Sequence, residues 1–301
     1  MTAFIDEHRG RFGVETICRV LGVSASAYYH RATGQRSARA IEDERLLERI
    51  RELHAANYYA YGSRRMWKTL RRAGECVGRG RVERLMRAHG IQGAKRRGKP
   101  WRTTTPDPFA QRRPDLVHRD FTASGPNRLW VGDLTYLRCW EGVVFFAFVL
   151  DAYSRRIVGW QFASHMRTEL VLDALRMAIH QRGPGADVQL IAHTDRGSQY
   201  TSRAYIDTLA QAGILASVGS VGDAYDNALM ETLNGLYKAE CVRTTVFHDG
   251  PYKTIADVEY ATAGWVDWYN NRRLHSTLGN VPPVEYEQAH YAALNREQQP
   301  V

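Results

Sequence analysis

Cysteine is scarce and scattered in this 301-residue chain. Cys18, Cys76, Cys139 and Cys241 form no Cys-x-x-Cys pair, which argues against a zinc knuckle and a disulfide framework. A reduced, cytoplasmic setting follows. Long apolar runs are missing too. None approaches the ~18 residues of a membrane span. The opening MTAFIDEHRGRF lacks the apolar core of a secretory signal. Acidic residues are under-represented in the front of the chain. Residues 1–120 hold 26 Lys and Arg against 13 Asp and Glu, whereas residues 121–301 hold 15 against 19. A basic front half is the usual mark of phosphate contacts, with a merely soluble basic surface as the alternative. Internal repeats and low-complexity tracts are absent.

What is present begins with helices. In VETICRVLGVSASAYYHR, Ile17 and Leu21 share a helical face, the pattern breaks at Gly22, and Ser24 is an N-cap for a second helix. This makes residues 1–36 either a helix-turn-helix or a packing hairpin. The next unit, residues 40–94, contains YGSRRMWKTLRRAGECVGRGRVERLMRAHGI. It predicts a helix from Ser63 with Met66, Trp67 and Leu70 inward, a turn over Gly74 to Gly78, and a second helix with Val82, Leu85 and Met86 inward. Arg64, Arg65, Lys68, Arg71 and Arg72 decorate the first helix; Arg79, Arg81, Arg84 and Arg87 decorate the second. Only Glu75 and Glu83 oppose them within this stretch. The expectation is an all-α, helix-turn-helix-like region gripping the backbone of double-stranded DNA. Residues 95–127, rich in Pro, Gly, Thr and Arg, read as a basic linker. Arg96 and Arg97 either lie along the DNA there or belong to a tether.

From Arg128 the texture changes. RLWVGDLTYL alternates, VVFFAFVLD is continuously apolar, and RRIVGWQF alternates again, which predicts three antiparallel strands. A helix from Thr168, a strand in DVQLIAHTD, a helix in RAYIDTLAQAG, a strand in ILASVG and a helix from near Asp226 follow. The class is α/β. This order suits a ribonuclease-H-like mixed five-stranded sheet with flanking helices over residues 128–245. Residues 246–301 are expected to be a helical extension on that core, with Val258, Ala261, Trp265 and Trp268 inward. Arg272, Arg273 and His275 are then either a second DNA-contacting patch or a salt-bridged helix end.

Three acids stand out against this frame. Asp133 lies mid-strand, on the face of Val131 and Thr135, where a carboxylate is costly unless paired or bound to a cation. Asp195 ends a strand, where ligands gather in α/β sheets. Glu231 lies on the helix DNALMETLNGLYKAE, in a polar stripe with Asn227, Asn234 and Lys238, beside an apolar stripe of Leu229, Leu233 and Leu236. Glu231 and Lys238 are two turns, ~10 Å, apart along that face. Singly, Asp195 reads equally well as a cap and Glu231 as a surface charge. Together they form an oxygen-only donor set that suits Mg²⁺, with Mn²⁺ as a substitute. Two such ions ~4 Å apart would clamp the attacking and leaving oxygens of a phosphodiester exchange.

WVGDLTYL, LDAYSRRIVGW, HTDRGSQYTS, DNALMETLNGLYK and WYNNRRLHSTLGNVPPVEY closely resemble the DDE transposases of bacterial insertion sequences, in the retroviral-integrase superfamily. The 35 residues between Asp195 and Glu231 match the group whose transposase is the second of two overlapping frames. The resemblance spans roughly residues 40–290. It implies that Asp133, Asp195 and Glu231 are the catalytic, metal-binding triad and that Lys238 touches the terminal DNA. It gives Asn227 a supporting role. Asp151 is read as structural and His193 as a packing or hydrogen-bonding residue. The implied activity is cleavage of element ends and strand transfer into target DNA, by a homo-oligomer on DNA in the bacterial cytoplasm. The zinc module of retroviral integrases is not matched. The upstream-frame product is an expected partner or fusion. A structure-specific nuclease and a non-enzymatic DNA-binding regulator are the competing readings.

Overall fold

The computed structural model describes residues 1–32, 36–94, 115–117, 120–184, 189–219, 228–242 and 252–297. The chain opens with three short helices, α1 (Thr2–Phe12), α2 (Val14–Leu21) and α3 (Ala25–Ala32). They close on a small core of Ile5, Ile17, Cys18 and Tyr28. Gly22 takes the left-handed conformation that ends α2, and the Ser24 hydroxyl accepts from the Ala27 amide at the start of α3. Sequence periodicity placed Leu21 inward, but it is exposed, because α1, unforeseen from the sequence, fills the inner face through Ile5.

Helices α4 (Ala38–Ala56), α5 (Ser63–Arg72) and α6 (Arg79–Ala88) form the second unit. Met66 and Leu70 of α5 and Val82, Leu85 and Met86 of α6 are buried, as their spacing predicts. This unit does not stand apart. Its core runs without a break into helix α11 (Ile255–Asn271) through Ile50, Met66, Leu70, Trp265 and Trp268. Trp268 donates its indole N–H to Asn57, and the Tyr61 hydroxyl accepts from the Leu274 amide.

The sheet contains β1 (Leu129–Cys139), β2 (Gly142–Asp151), β3 (Ile157–Ala163), β4 (Ile191–Thr194) and β5 (Leu215–Val218), in the spatial order β3-β2-β1-β4-β5. β1, β2 and β3 are antiparallel; β4 pairs parallel with β1, and β5 parallel with β4. This is the mixed five-stranded, ribonuclease-H-like arrangement. β4 and β5 are shorter than the apolar segments that predicted them. Helices α7 (Thr168–Arg182), α8 (Ser198–Thr201) and α9 (Arg203–Gln211) belong to one layer, where α7, Tyr200 and α9 share a core with Trp130, Val149 and Val158. α7 approaches β3 so closely that a side chain at Gly159 would stand 2.1 Å from the Ala174 carbonyl oxygen. On the opposite face, Val131 and Phe146 pack with α10 (Ala228–Tyr237) and α11. Helix α12 (Pro283–Glu297) closes the chain and is tied to the sheet layer through Glu287, which pairs with Arg156 and Arg182. No described helix is long and apolar enough to cross a membrane.

Candidate active site

The alternation of β1 sets the direction of Asp133. Val131 and Thr135 are buried on the α10 side, and Trp130 packs on the α7 side. β4 then fixes the neighbour. Its parallel register pairs Val131 with His193 and Gly132 with Thr194, so Asp133 and Asp195 are the next residues along the two neighbouring strands. Adjacent strands lie about 4.8 Å apart, so Asp133, within β1, and Asp195, just past the end of β4, come side by side. The turn after Asp195 folds back at once, with the Gly197 amide donating to Asp195 Oδ1 at 2.9 Å. A Cβ at Gly197 would stand 3.1 Å from that oxygen, which explains glycine at this position in TDRGSQY.

Glu231 lies in the first turn of α10 and is exposed. One turn on, Asn234 reaches back to the sheet, where its Nδ2 donates to Asp133 Oδ2 at 2.8 Å. The Leu134 amide donates to Asp133 Oδ1 at 2.7 Å. Despite these two donors, the Asp133 carboxyl is pushed up to about 7. Burial is the main cause, the Asp195 charge comes next, and Glu231 adds to it. Asp195 and Glu231 therefore both act on Asp133, although among the described residues no three His, Cys, Asp or Glu side chains converge closely enough to hold an ion. The donor set still fits a hard divalent cation. It is carboxylate and amide oxygen, and Asn234 Oδ1 is buried with no hydrogen-bond partner among the described residues. His193 is committed elsewhere, its Nδ1 meeting the Ser217 hydroxyl at 2.9 Å. Asp151 is wholly buried and accepts from the Asn127, Tyr153 and Ser154 amides, as its structural reading requires.

Lys238 falls one residue beyond the α-helix. α10 stops at Tyr237, and Lys238 opens a π-helical turn through Val242 that carries Ala239, Glu240 and Cys241 inward. The Lys238 ammonium lies 5.5 Å from the centre of the Tyr136 ring. The apolar stripe also shifts: Met230, Leu233 and Tyr237 are fully buried, while Leu229 and Leu236 pack at its margin. Asn227, Arg96 and Arg97 lie outside the described residues.

The basic face needs correction in part. Arg81 and Arg84 both grip Asp43 of α4, and Arg72 pairs with Glu285 of α12. Both acids lie outside the arginine-rich stretch of residues 61–91. Arg64, Arg71 and Arg79 are exposed. Lys68 packs over the Trp67 ring and Arg65 over Tyr61. At the other end of the chain, Arg273 is no DNA contact. It is 1% exposed and doubly bonded to Glu240, and His275 is buried beside it. Arg272 is exposed and paired with Asp267. Burial of Arg273 and His275 fits the salt-bridged helix end for those two residues.

Three sequence features went unassigned: the bond from Asn234 to Asp133, the acids Asp43 and Glu285, and the burial of Tyr200. Asn234 was legible as a neighbour of Glu231 on the polar stripe, but nothing in its spacing names its partner.

Residues 123–224 and 212–283 match the integrase core domain family, and residues 41–99 match the HTH-like domain family. The chain is 51% identical to the putative transposase for insertion sequence element IS986/IS6110 of Mycobacterium tuberculosis (strain CDC 1551 / Oshkosh), covering 91% of this chain and 98% of the relative. It is 44% identical to the transposase for insertion sequence element IS629 of Shigella sonnei, covering 99% of each. Among solved structures, the HTLV-2 integrase catalytic core domain in complex with magnesium is similar at 16% identity and a TM-score of 0.40, covering 55% of this chain and 98% of that one.

Proposed function

The chain belongs to the transposases of insertion sequences, polynucleotidyl transferases of the DDE type, and we propose that Asp133, Asp195 and Glu231 are its catalytic acids, holding two Mg²⁺ ions or Mn²⁺ in their place. The observation that carries this reading is the in-register pairing of β1 with β4. It sets two acids side by side, with Glu231 near enough to act on Asp133. A buried carboxylate whose proton affinity is raised by a neighbouring acid is a site that gains by taking up a cation.

Bound divalent ions supply charge neutralisation at the reacting phosphate and lower the pKa of water. The protein holds and orients. Asn234 and the Leu134 amide fix the Asp133 carboxylate, and the Gly197 amide fixes Asp195. Water attacks the phosphodiester at an element end and releases a 3′-hydroxyl. That hydroxyl then attacks a target phosphodiester in line, its proton goes to solvent, and the displaced strand leaves with a free 3′-oxygen. No covalent protein intermediate forms, so catalysis rests on positioning and charge.

The DNA partner is held by the region around residues 40–94. Arg64, Lys68 and Arg71 recur at spacings of four and three along α5 and form one stripe for phosphates. Arg79 at the start of α6 extends it. Lys238 faces the terminal DNA, and Asn227 supports the helix that carries Glu231. Residues 128–245 are the catalytic core and 246–301 its extension; the working form is a homo-oligomer on paired ends. The upstream-frame product acts as partner or fusion. The test is strand transfer with end DNA and Mg²⁺, comparing the wild type with Asp195→Asn. Loss of both cleavage and joining is expected; equal joining by the two proteins refutes the assignment.

A further inference from the structure

The β1–β2 hairpin runs on past the acids and presents a tryptophan to solvent at its tip, where Trp140 is 79% exposed. A single exposed apolar side chain is ordinary on a protein surface, but three features set this one apart. The first is a fixed mount. The Trp140 amide donates to the Tyr252 carbonyl at 2.9 Å and the Glu141 amide to the Lys253 carbonyl at 3.1 Å. The Glu141 carboxylate accepts from the Ile255 amide at 2.8 Å, so the tip is stapled to the start of α11. The second is basic company. Arg138, two residues back on the same face of β1, is exposed and pairs with no acid among the described residues. Lys253 is exposed beside the turn. The acids nearby, Glu141 and Asp257, are engaged by the Ile255 and Thr254 amides at the start of α11.

The third feature is the path from the acids. β4 stops at Thr194, opposite Gly132, so beyond that point the outer edge of β1 has no strand beside it among the described residues. Alternation puts Tyr136 and Arg138 on the face opposite Asp133. The Lys238 ammonium, from the α10 side, nevertheless lies 5.5 Å from the centre of the Tyr136 ring, so the two faces meet around this open edge. Seven residues of extended chain from Asp133 to Trp140 span roughly 23 Å. That is about seven base pairs of duplex, at ~3.4 Å each. Arg138 disfavours the addition of a strand from a second copy at this edge, because charged side chains are what keep open edges from pairing. The same charges suit a polyanion.

We infer that the tip of the β1–β2 hairpin is a DNA-contacting surface separate from the α5 stripe: Trp140 packs against a sugar or base, and Arg138 and Lys253 meet phosphates flanking it, on the DNA engaged at the acids. This rests on DNA being the substrate and on Lys238 facing it. Aromatic surface interleaved with cations is a general means of holding nucleic acid.

The full chain is compared with its Trp140→Ala and Arg138→Gln variants in EDTA, which prevents turnover. Binding of a fluorescein-labelled duplex carrying the element end is followed by anisotropy over a range of salt concentrations. Thermal melting and light scattering are measured on the same samples. Trp140→Ala is expected to bind roughly 5- to 100-fold more weakly at an unchanged salt slope. Arg138→Gln should lower the slope by about 0.9, the share of one phosphate contact. Both variants should melt with the wild type, since both side chains are exposed. Tight binding by the wild type, matched in affinity by Trp140→Ala, overturns the inference and leaves the transposase reading standing. No binding by the wild type overturns that reading and this inference with it. A smaller particle in light scattering for Trp140→Ala, at wild-type DNA affinity, marks a contact between copies and also overturns it. Weaker binding that comes with a lower melting temperature in both variants marks a packing role and does the same.

Discussion

Replacing Asp133 by asparagine should stabilise the metal-free protein at neutral pH while removing its activity. The Asp133 carboxyl is pushed from the usual carboxylate range up to about 7, chiefly by burial and then by Asp195. In the unfolded chain it ionises near 4, so between pH 4 and 7 the folded protein binds the extra proton. Stability from this group is therefore full at pH 4, falls as the pH rises, and reaches its floor above pH 7. The gap between the two values corresponds to about 4 kcal/mol. Asp133 remains partly accessible, so the full figure is discounted for solvent screening, to roughly 2 kcal/mol. The amide introduced by the substitution retains good contacts. Its oxygen can still accept from Leu134, and its NH₂ can donate to Asn234 Oδ1, which has no partner among the described residues, once the Asn234 amide turns over. At ~2–4 °C per kcal/mol for a domain of this size, the variant should melt roughly 4–8 °C above the wild type at pH 7.5 in EDTA. The assay is a series of melts from pH 4.5 to 8.5, with and without Mn²⁺. The difference should grow with pH up to about 7, then level off, and shrink when Mn²⁺ stabilises the wild type alone. A difference that is absent, or independent of pH, would refute the electrostatic reading of the site.

The buried pair of Arg273 with Glu240 makes a second prediction. Arg273→Met should lower unfolding free energy by about 3–5 kcal/mol, because Glu240 is left as an uncompensated buried charge. Pairing it with Glu240→Leu should recover most of the loss, and a cost under about 1 kcal/mol in denaturant titration would contradict the burial. The basic face makes a third. Arg64→Gln with Arg71→Gln should reduce the salt dependence of DNA binding by about two phosphate contacts, a slope change near 1.8. Arg84→Gln, whose partner is Asp43, should leave the slope unchanged. Equal slopes for the two variants would sink that distinction.

Local pattern carried much of this fold. Alternation along β1 put Asp133 on the correct face, and the glycines and apolar spacing of residues 63–90 marked both helices. Side-chain partners between distant segments were not legible in the same way. The arginine-rich stretch looked unopposed only because Asp43 and Glu285 enter from helices outside it. The choice for Arg273 between a DNA contact and a salt-bridged helix end is open in the sequence because nothing local reveals that a π-helical turn brings Glu240 inward to meet it. The closeness of Asp133 and Asp195 required the pairing register of β1 with β4, which separates residues 62 positions apart in the chain by one strand spacing. Leu21 was misplaced for a similar reason: its helix has the right period, but the partner that chose the inner face was α1.

The continuous core joining α4–α6 to α11 gives the molecule a fixed gauge. Asn57 on Trp268, Tyr61 on Leu274 and Arg72 on Glu285 brace the α4–α6 unit against α11 and α12. If α4–α6 hold DNA as proposed, the distance from that grip to the acids is set by the girth of α11 and its neighbours.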